Sequence, residues 1–231
     1  WFRRDLRLTD HAALGHALSL GGPAHAAFVF DTEILDALKD RADRRVEFIW
    51  QSVAALKHDL EAAGGGLHVL HGPARHLIPA LARQLGVAEV HASRDYEPAA
   101  RARDAAVAEA LTGQGQKLCL HKDQVIFETD EILSAAGTPF HVFTAYKRAW
   151  LARLTAEHLA AYDCTAHYPR LAAAPDSQLP SLADLGFTAS NLAELKIVPG
   201  EAGAQALWQD FQTRIESYQA WRDFPARKGP S

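Results

Sequence analysis

The chain has 231 residues, 48% of them hydrophobic, with a formal net charge of −4. That length and composition supply a sizeable core and argue against a strongly basic nucleic-acid surface, so contact with DNA would need a local patch or residues elsewhere. The two cysteines, Cys119 and Cys164, lie outside any CxxC or zinc-like spacing and read as free thiols in a reducing, cytoplasmic setting; no apolar run approaches the roughly 18 residues of a membrane span.

Trp1-Phe2 reads as the tail of a first strand at the centre of a sheet. The charged run Arg3-Arg4-Asp5 follows, then a helix start with Thr9 or Asp10 as N-cap. Residues 25–31, HAAFVFD, are an apolar run of strand length ending in Asp31. Val46, Ile49, Val53, Leu56 and Leu60 recur every three or four residues and mark one face of a helix. The Gly64-Gly65-Gly66 triplet precedes the strand 67–71, LHVLH; a phosphate cradle would follow a strand, so the triplet is a helix cap and turn. Leu77, Leu81 and Leu85 mark the next helix, EVHASRD (89–95) the next strand, Ala-rich 98–111 another helix, and KLCLHKDQVI (117–126) a fifth strand. The alternation predicts an α/β fold: a Rossmann-like five-stranded parallel sheet in order 3-2-1-4-5, with helices on both faces.

From 163 to 205 the prolines 169, 175, 180 and 199 punctuate a connector with at most one short helix near 181–185. Such a stretch fits a linker running over a surface between two domains. Helical spacing returns over 201–221 at Leu207, Phe211, Ile215 and Tyr218. Trp1 and Gly229-Pro230-Ser231 both read as interior points of a longer chain.

Simple catalytic signatures are absent: there is no GxSxG, HExxH or GxxxxGK[ST], and the twelve histidines show no ligand spacing, so no metal site is expected. Open parallel sheets bind ligands outside the carboxyl ends of their strands. Those ends here carry Arg3-Arg4-Asp5, Asp31, His71, Asp95-Tyr96-Glu97 and Lys122-Asp123. Any single one could be an ordinary polar loop; five in a row point to a crevice.

Four strings carry a further signal: WFRRDLRL at the start, RDYEPAARARD (94–104), FTAYKRAWL (143–151) and YQAWRDFPARKGPS (218–231), with KDQVIFE (122–128) between them. In that order and spacing they resemble the photolyase/cryptochrome family over nearly the whole chain. Ala145 and Pro230 depart from the family's usual proline and threonine, and Ala99 and Ala100 stand where folate-binding members carry Asn and Glu.

The resemblance implies an α/β antenna domain over 1–130, a connecting helix and interdomain linker over 131–200, and the beginning of a helical FAD-binding domain over 201–231. It implies light-dependent repair of UV-induced pyrimidine dimers in DNA by electron transfer from reduced FAD, a deoxyribodipyrimidine photolyase activity. This chain would be the light-harvesting half, a monomer inactive alone, with no catalytic residue of its own. Tyr218 and Ser231 match positions that contact FAD, and Arg222 matches one at the edge of the DNA face. Core packing is the rival role for Tyr218, and a surface ion pair with Asp223 for Arg222. Arg4, Asp31, Asp95 and Glu97 are the candidate antenna site. With alanine at 99 and 100, a deazaflavin is favoured there over methenyltetrahydrofolate; an empty antenna site is the alternative. A cryptochrome-type blue-light receptor, or another nucleotide-binding α/β module, remains open at this point.

Overall fold

The computed structural model describes residues 1–174, 176–224 and 226. Its first 121 residues alternate helix and strand: α1 (Ala12–Ser19), β1 (Ala26–Phe30), α2 (Thr32–Leu35), α3 (Arg44–Ala62), β2 (Leu67–His71), α4 (Ala74–Leu85), β3 (Glu89–Ser93), α5 (Pro98–Thr112) and β4 (Lys117–His121). This is an α/β fold. β1 is buried on both faces, which is why its sequence, AAFVF, is a continuous apolar run rather than an alternating one. One face of the molecule packs Phe28 and Phe30 with Leu18 of α1 and Val53, Leu56 and Leu60 of α3. The other packs Ala27 and Val29 with Ile78 and Ala82 of α4 and Val107 and Leu111 of α5. Each fully buried leucine or valine contributes about 2 kcal/mol of transfer free energy.

The strands form two parallel pairs, β1 with β2 and β3 with β4, each five residues long. This differs from the continuous five-stranded sheet expected. Between the pairs lies Trp1-Phe2, which is too short for a ladder: Phe2 makes one parallel bridge to Phe28, its N–H donates to the Ala27 carbonyl at 2.8 Å, and the Trp1 nitrogen donates to the His91 carbonyl at 2.8 Å. β1, β3 and β4 also stop one, two and five residues earlier than the expected strands, because the polar residues after them turn away into loops. The N-cap of α1 is His11, whose Nδ1 accepts the Leu14 N–H at 3.1 Å. Asp10, at φ +46°, instead accepts the Tyr162 N–H at 2.9 Å.

The connector is bound along its length. Leu171 bridges Ala24, Ser177 Oγ accepts the Val69 N–H at the outer edge of β2, and Pro180 accepts from Trp50 Nε1, both at 2.7 Å. Leu171, Leu185, Phe187 and Leu192 are buried. An unpaired strand edge is an aggregation hazard, and this segment covers one. Around 181–185 there is a single turn, closed by Leu185 N–H to the Ser181 carbonyl, 3.2 Å. Next, α7 (Gly200–Gln212) sits against α3, with the Gly200 N–H 3.3 Å from Ser52 Oγ, and Glu201 accepts from the Leu8 N–H at 2.9 Å. In contrast, α6 (Phe143–Arg153) buries no residue. No helix among the described residues is long and apolar enough to cross a membrane.

Candidate functional site: a charged crevice at the strand ends

The loops after Phe2, β3 and β4 meet in one interlocked charge network. Arg3, 5% exposed, makes a bidentate contact with Asp104 at 2.7 and 2.8 Å, donates to the Ser93 carbonyl, and lies 3.6 Å from Asp95. Asp95, as deeply buried, is approached by Arg4 Nε at 3.3 Å, Arg103 at 3.2 Å and Gln124 Nε2 at 3.0 Å. Arg4 also reaches Glu97 at 2.6 Å. Arg7 grips Asp123 with both terminal nitrogens, at 3.0 and 2.9 Å. The Trp1 ring lies between the Arg3 and Arg103 guanidinium groups, 4.8 and 4.9 Å from its centroid. Buried charges need such pairing, since an isolated one costs far more than its partner returns.

Below the network, Asp5 accepts the Arg3 N–H at 2.7 Å and lies 3.0 Å from His11 Nε2. Burial pushes its carboxyl upward, but the close His11 imidazole, neighbouring Ser93 and the Arg3 backbone N–H outweigh that and hold it well below the usual carboxylate range. At the rim, burial and the neighbouring Glu128 push Tyr96 up to about 12. Burial lowers the Arg7 guanidinium, but the hydrogen bonds that it donates to Asp123 outweigh this and raise it.

Arg3, Arg4, Arg7, Ser93, Asp95 and Gln124 line a cavity of about 190 Å³ here. That is below the ~300 Å³ at which small-molecule pockets begin, because the charged groups bind one another across it. The rim pair is the movable part: the Arg4 and Glu97 side chains are 59% and 52% exposed.

Of the four residues expected to form an antenna site, Arg4, Asp95 and Glu97 come together. Asp31 does not join them. It is the N-cap of α2, accepting the Glu33 N–H at 3.1 Å and the Ala74 N–H at the start of α4 at 3.3 Å, so its carboxylate ties two helices together. Lys122 is occupied by Glu131, at 2.8 and 3.0 Å, and His71 is exposed. Sequence reasoning missed Asp104, Arg103 and Gln124. Asp104 carried a readable signal: it falls on the buried stripe of α5 with Val107 and Leu111, and a carboxylate on an apolar stripe needs a cation. Tyr218 begins the short helix α8 (Tyr218–Trp221), is 40% exposed, and packs edge-on to Phe211 at 6.2 Å. Arg222 lies 3.6 Å from Asp223 and 5.8 Å from the Tyr218 ring. Ser231 lies outside the described residues.

A family model described as DNA photolyase matches residues 1–166. The chain belongs to the DNA photolyase family. A deoxyribodipyrimidine photo-lyase of Synechococcus is 34% identical over 241 aligned positions, which take in all of this chain and 48% of that protein. The crystal structure of a bacterial class III photolyase from Agrobacterium tumefaciens superposes with a TM-score of 0.81 at 28% identity, over all of this chain and 47% of that one. An archaeal photolyase from Sulfolobus tokodaii, described with two FAD molecules and an implied novel light-harvesting cofactor, superposes with a TM-score of 0.55 at 25% identity, over 64% of this chain and 32% of that one. The chain thus spans about half the length of the curated relatives it matches.

Proposed function

We propose that this chain is the light-harvesting half of a deoxyribodipyrimidine photolyase, which repairs UV-induced pyrimidine dimers in DNA with an electron from excited, reduced FAD. The observation that carries this reading is the alignment of the whole chain with the Synechococcus and Agrobacterium photolyases while about half of each of those two proteins is left over. Residues 1–130 act as the antenna domain, 131–200 as connecting helix and linker, and 201–231 as the opening of the flavin domain. The two strand pairs act as halves of one sheet in order 3-2-1-4-5, with Trp1-Phe2 as its middle strand; the hydrogen bonds that Trp1 and Phe2 send to opposite pairs support this.

The exposed apolar side chains Phe143, Leu207, Trp208, Ile215 and Tyr218 supply a face for a helical flavin domain. Tyr218 and Ser231 would stand at the rim of the FAD pocket and Arg222 at the edge of the DNA face. The damaged dinucleotide would be flipped out into the helical domain, so this half needs no basic surface. FAD supplies the redox chemistry, and the chain's own part is to hold and orient the antenna ring.

For the antenna, the crevice between Arg4, Asp95 and Glu97 accepts a flat ring with exchangeable protons once the exposed Arg4–Glu97 pair swings out: Asp95 accepts ring N–H groups and Arg4 pairs an anionic ring oxygen. The methyl side chains of Ala99 and Ala100 in the first turn of α5 offer a folate no polar group. A deazaflavin or other flavin-like ring is therefore favoured over methenyltetrahydrofolate, and the second FAD of the Sulfolobus protein is consistent with such a ring. The test is the absorption spectrum of this chain, extended by the coding sequence that follows it and purified from a deazaflavin-producing host. FAD plus a visible deazaflavin band that Asp95→Ala abolishes is the expected result. A near-UV folate band, or FAD with no second chromophore after reconstitution, would overturn the antenna assignment; no flavin at all would overturn the function.

A further inference from the structure

On one face of the β3–β4 pair, three metal-ligating side chains lie together. Glu89 and His91 lie on β3 and Cys119 on β4, with His91 paired directly to Cys119 in the parallel register. A carboxylate oxygen of Glu89, a ring nitrogen of His91 and Sγ of Cys119 all fall within 4.8 Å of one another. Glu89 Oε2 is 3.1 Å from His91 Nε2 and 3.5 Å from Cys119 Sγ. Ligand atoms around a tetrahedral zinc ion stand about 3.5 Å apart, given bonds of ~2.0–2.3 Å. Glu89 already stands near that spacing from each of the other two donors.

His91 is the decisive residue. Its side chain is 9% exposed, yet Nε2 has no hydrogen-bond partner; the approach to Glu89 is close but lacks hydrogen-bond geometry. A buried polar atom left without a hydrogen bond costs about 1–3 kcal/mol. The other ring nitrogen, Nδ1, lies 2.9 Å from His121 Nε2. His121 in turn stacks on His91 at 5.1 Å and on His16 of α1 at 4.3 Å. An outer partner on the second nitrogen is what fixes the ring of a metal-bound histidine.

We propose that Glu89, His91 and Cys119 bind a zinc-class divalent transition ion, with His121 and His16 as positioning residues and water in the fourth coordination place. One oxygen, one imidazole nitrogen and one thiolate suit zinc and disfavour magnesium or calcium, which take oxygen ligands. On binding, the Cys119 thiol gives its proton to solvent and the sulfur bonds the ion, with Glu89 as the oxygen ligand. The ion would clip β3 to β4, a pair of only five residues each. Short-motif spacing misses the site because the parallel register, not the sequence, brings position 119 beside 89 and 91.

Cobalt titration tests this on the purified protein with reduced thiols, because Co²⁺ reports thiolate ligation through a near-ultraviolet charge-transfer band. One equivalent of Co²⁺ is expected to raise that band, and Zn²⁺ to quench it. Cys119→Ser should lose the band, while Cys164→Ser keeps it. His121→Asn should keep the band but weaken cobalt binding about tenfold, as removal of an outer partner does. Glu89→Gln, at a third-exposed and fold-tolerant position, should weaken binding as well. No band from the wild-type protein at one equivalent, or a band that survives Cys119→Ser, overturns the proposal; circular dichroism of each variant separates loss of ligand from loss of fold.

Discussion

At the scale of single residues, the inner charge pairs of the strand-end crevice are almost dry while its rim pair is exposed, and Asp5 is the buried carboxyl whose protonation most directly reports on the inner part. Its folded-state carboxyl titrates far below the ordinary value of 3.8, so its contribution is full above that value and is lost progressively as pH falls from there toward the lower folded-state value. Asp5→Asn is expected to destabilise the chain by about 3 kcal/mol at pH 7, the cost of breaking a buried pair by removing one partner. The gap between variant and wild type should narrow as pH falls from 5 to 3; urea denaturation across that range measures it, and a gap that stays constant would show that Asp5 is not held ionised by its neighbours. Much of this site was legible: Arg4, Asp95 and Glu97 follow from the rule that ligands gather at strand ends, and they meet. Asp31 obeys the same rule and yet goes elsewhere, because a side chain at a strand end can cap the next helix instead of facing the crevice. Asp104 was not placed because the pairing that buries it spans 101 residues of sequence, a separation no local pattern encodes.

At the scale of elements, periodicity located the helices better than their inner faces. Leu77 and Leu81 are only half-buried, and the residues that α4 truly buries are Ala74, Ile78, Pro79 and Ala82, with Ile78 and Ala82 one position on from the expected leucines. Ile49 was expected inward with Val46 and Val53 but is 40% exposed. A period of three to four admits neighbouring stripes, and packing chooses between them. The connector is the clearest case of tertiary override. Its prolines forbid regular structure, so it was expected to run over a surface, yet Leu185, Phe187 and Leu192 belong to the core. The glycine triplet explains how it fits. Gly64, at φ +87°, turns the chain out of α3, and the next two glycines leave room for the connector: a Cβ at Gly65 would stand 2.6 Å from Leu171 Cβ, and one at Gly66 2.5 Å from the Ala174 nitrogen. Gly66→Ala should therefore push the 171–174 segment off the sheet, at a cost of about 2 kcal/mol. Limited proteolysis should then cut the connector well before the α/β core; equal resistance in variant and wild type would contradict the packing account.

At the scale of the whole molecule, burial is uneven in a way that bears on function. The α/β part and its connector are close-packed, while α6, α7 and α8 turn Phe143, Leu207, Trp208 and Tyr218 to the outside. The family was readable because its signature strings lie at turns and helix starts with fixed chemistry, and the match over residues 1–166 bears that reading out. The continuous sheet was less so: strand alternation fixes neighbours, but two residues at its centre cannot supply a ladder. The central claim is that this half gathers light for repair chemistry performed by a helical half. The most direct measurement is dimer splitting in a UV-irradiated oligonucleotide under blue light with reduced FAD, for residues 1–231 and for the chain extended by its following coding sequence. The account predicts repair by the extended protein and, for residues 1–231 alone, no splitting beyond that of free reduced flavin; splitting by residues 1–231 above that background, or an extended protein that carries FAD and repairs nothing, would contradict it.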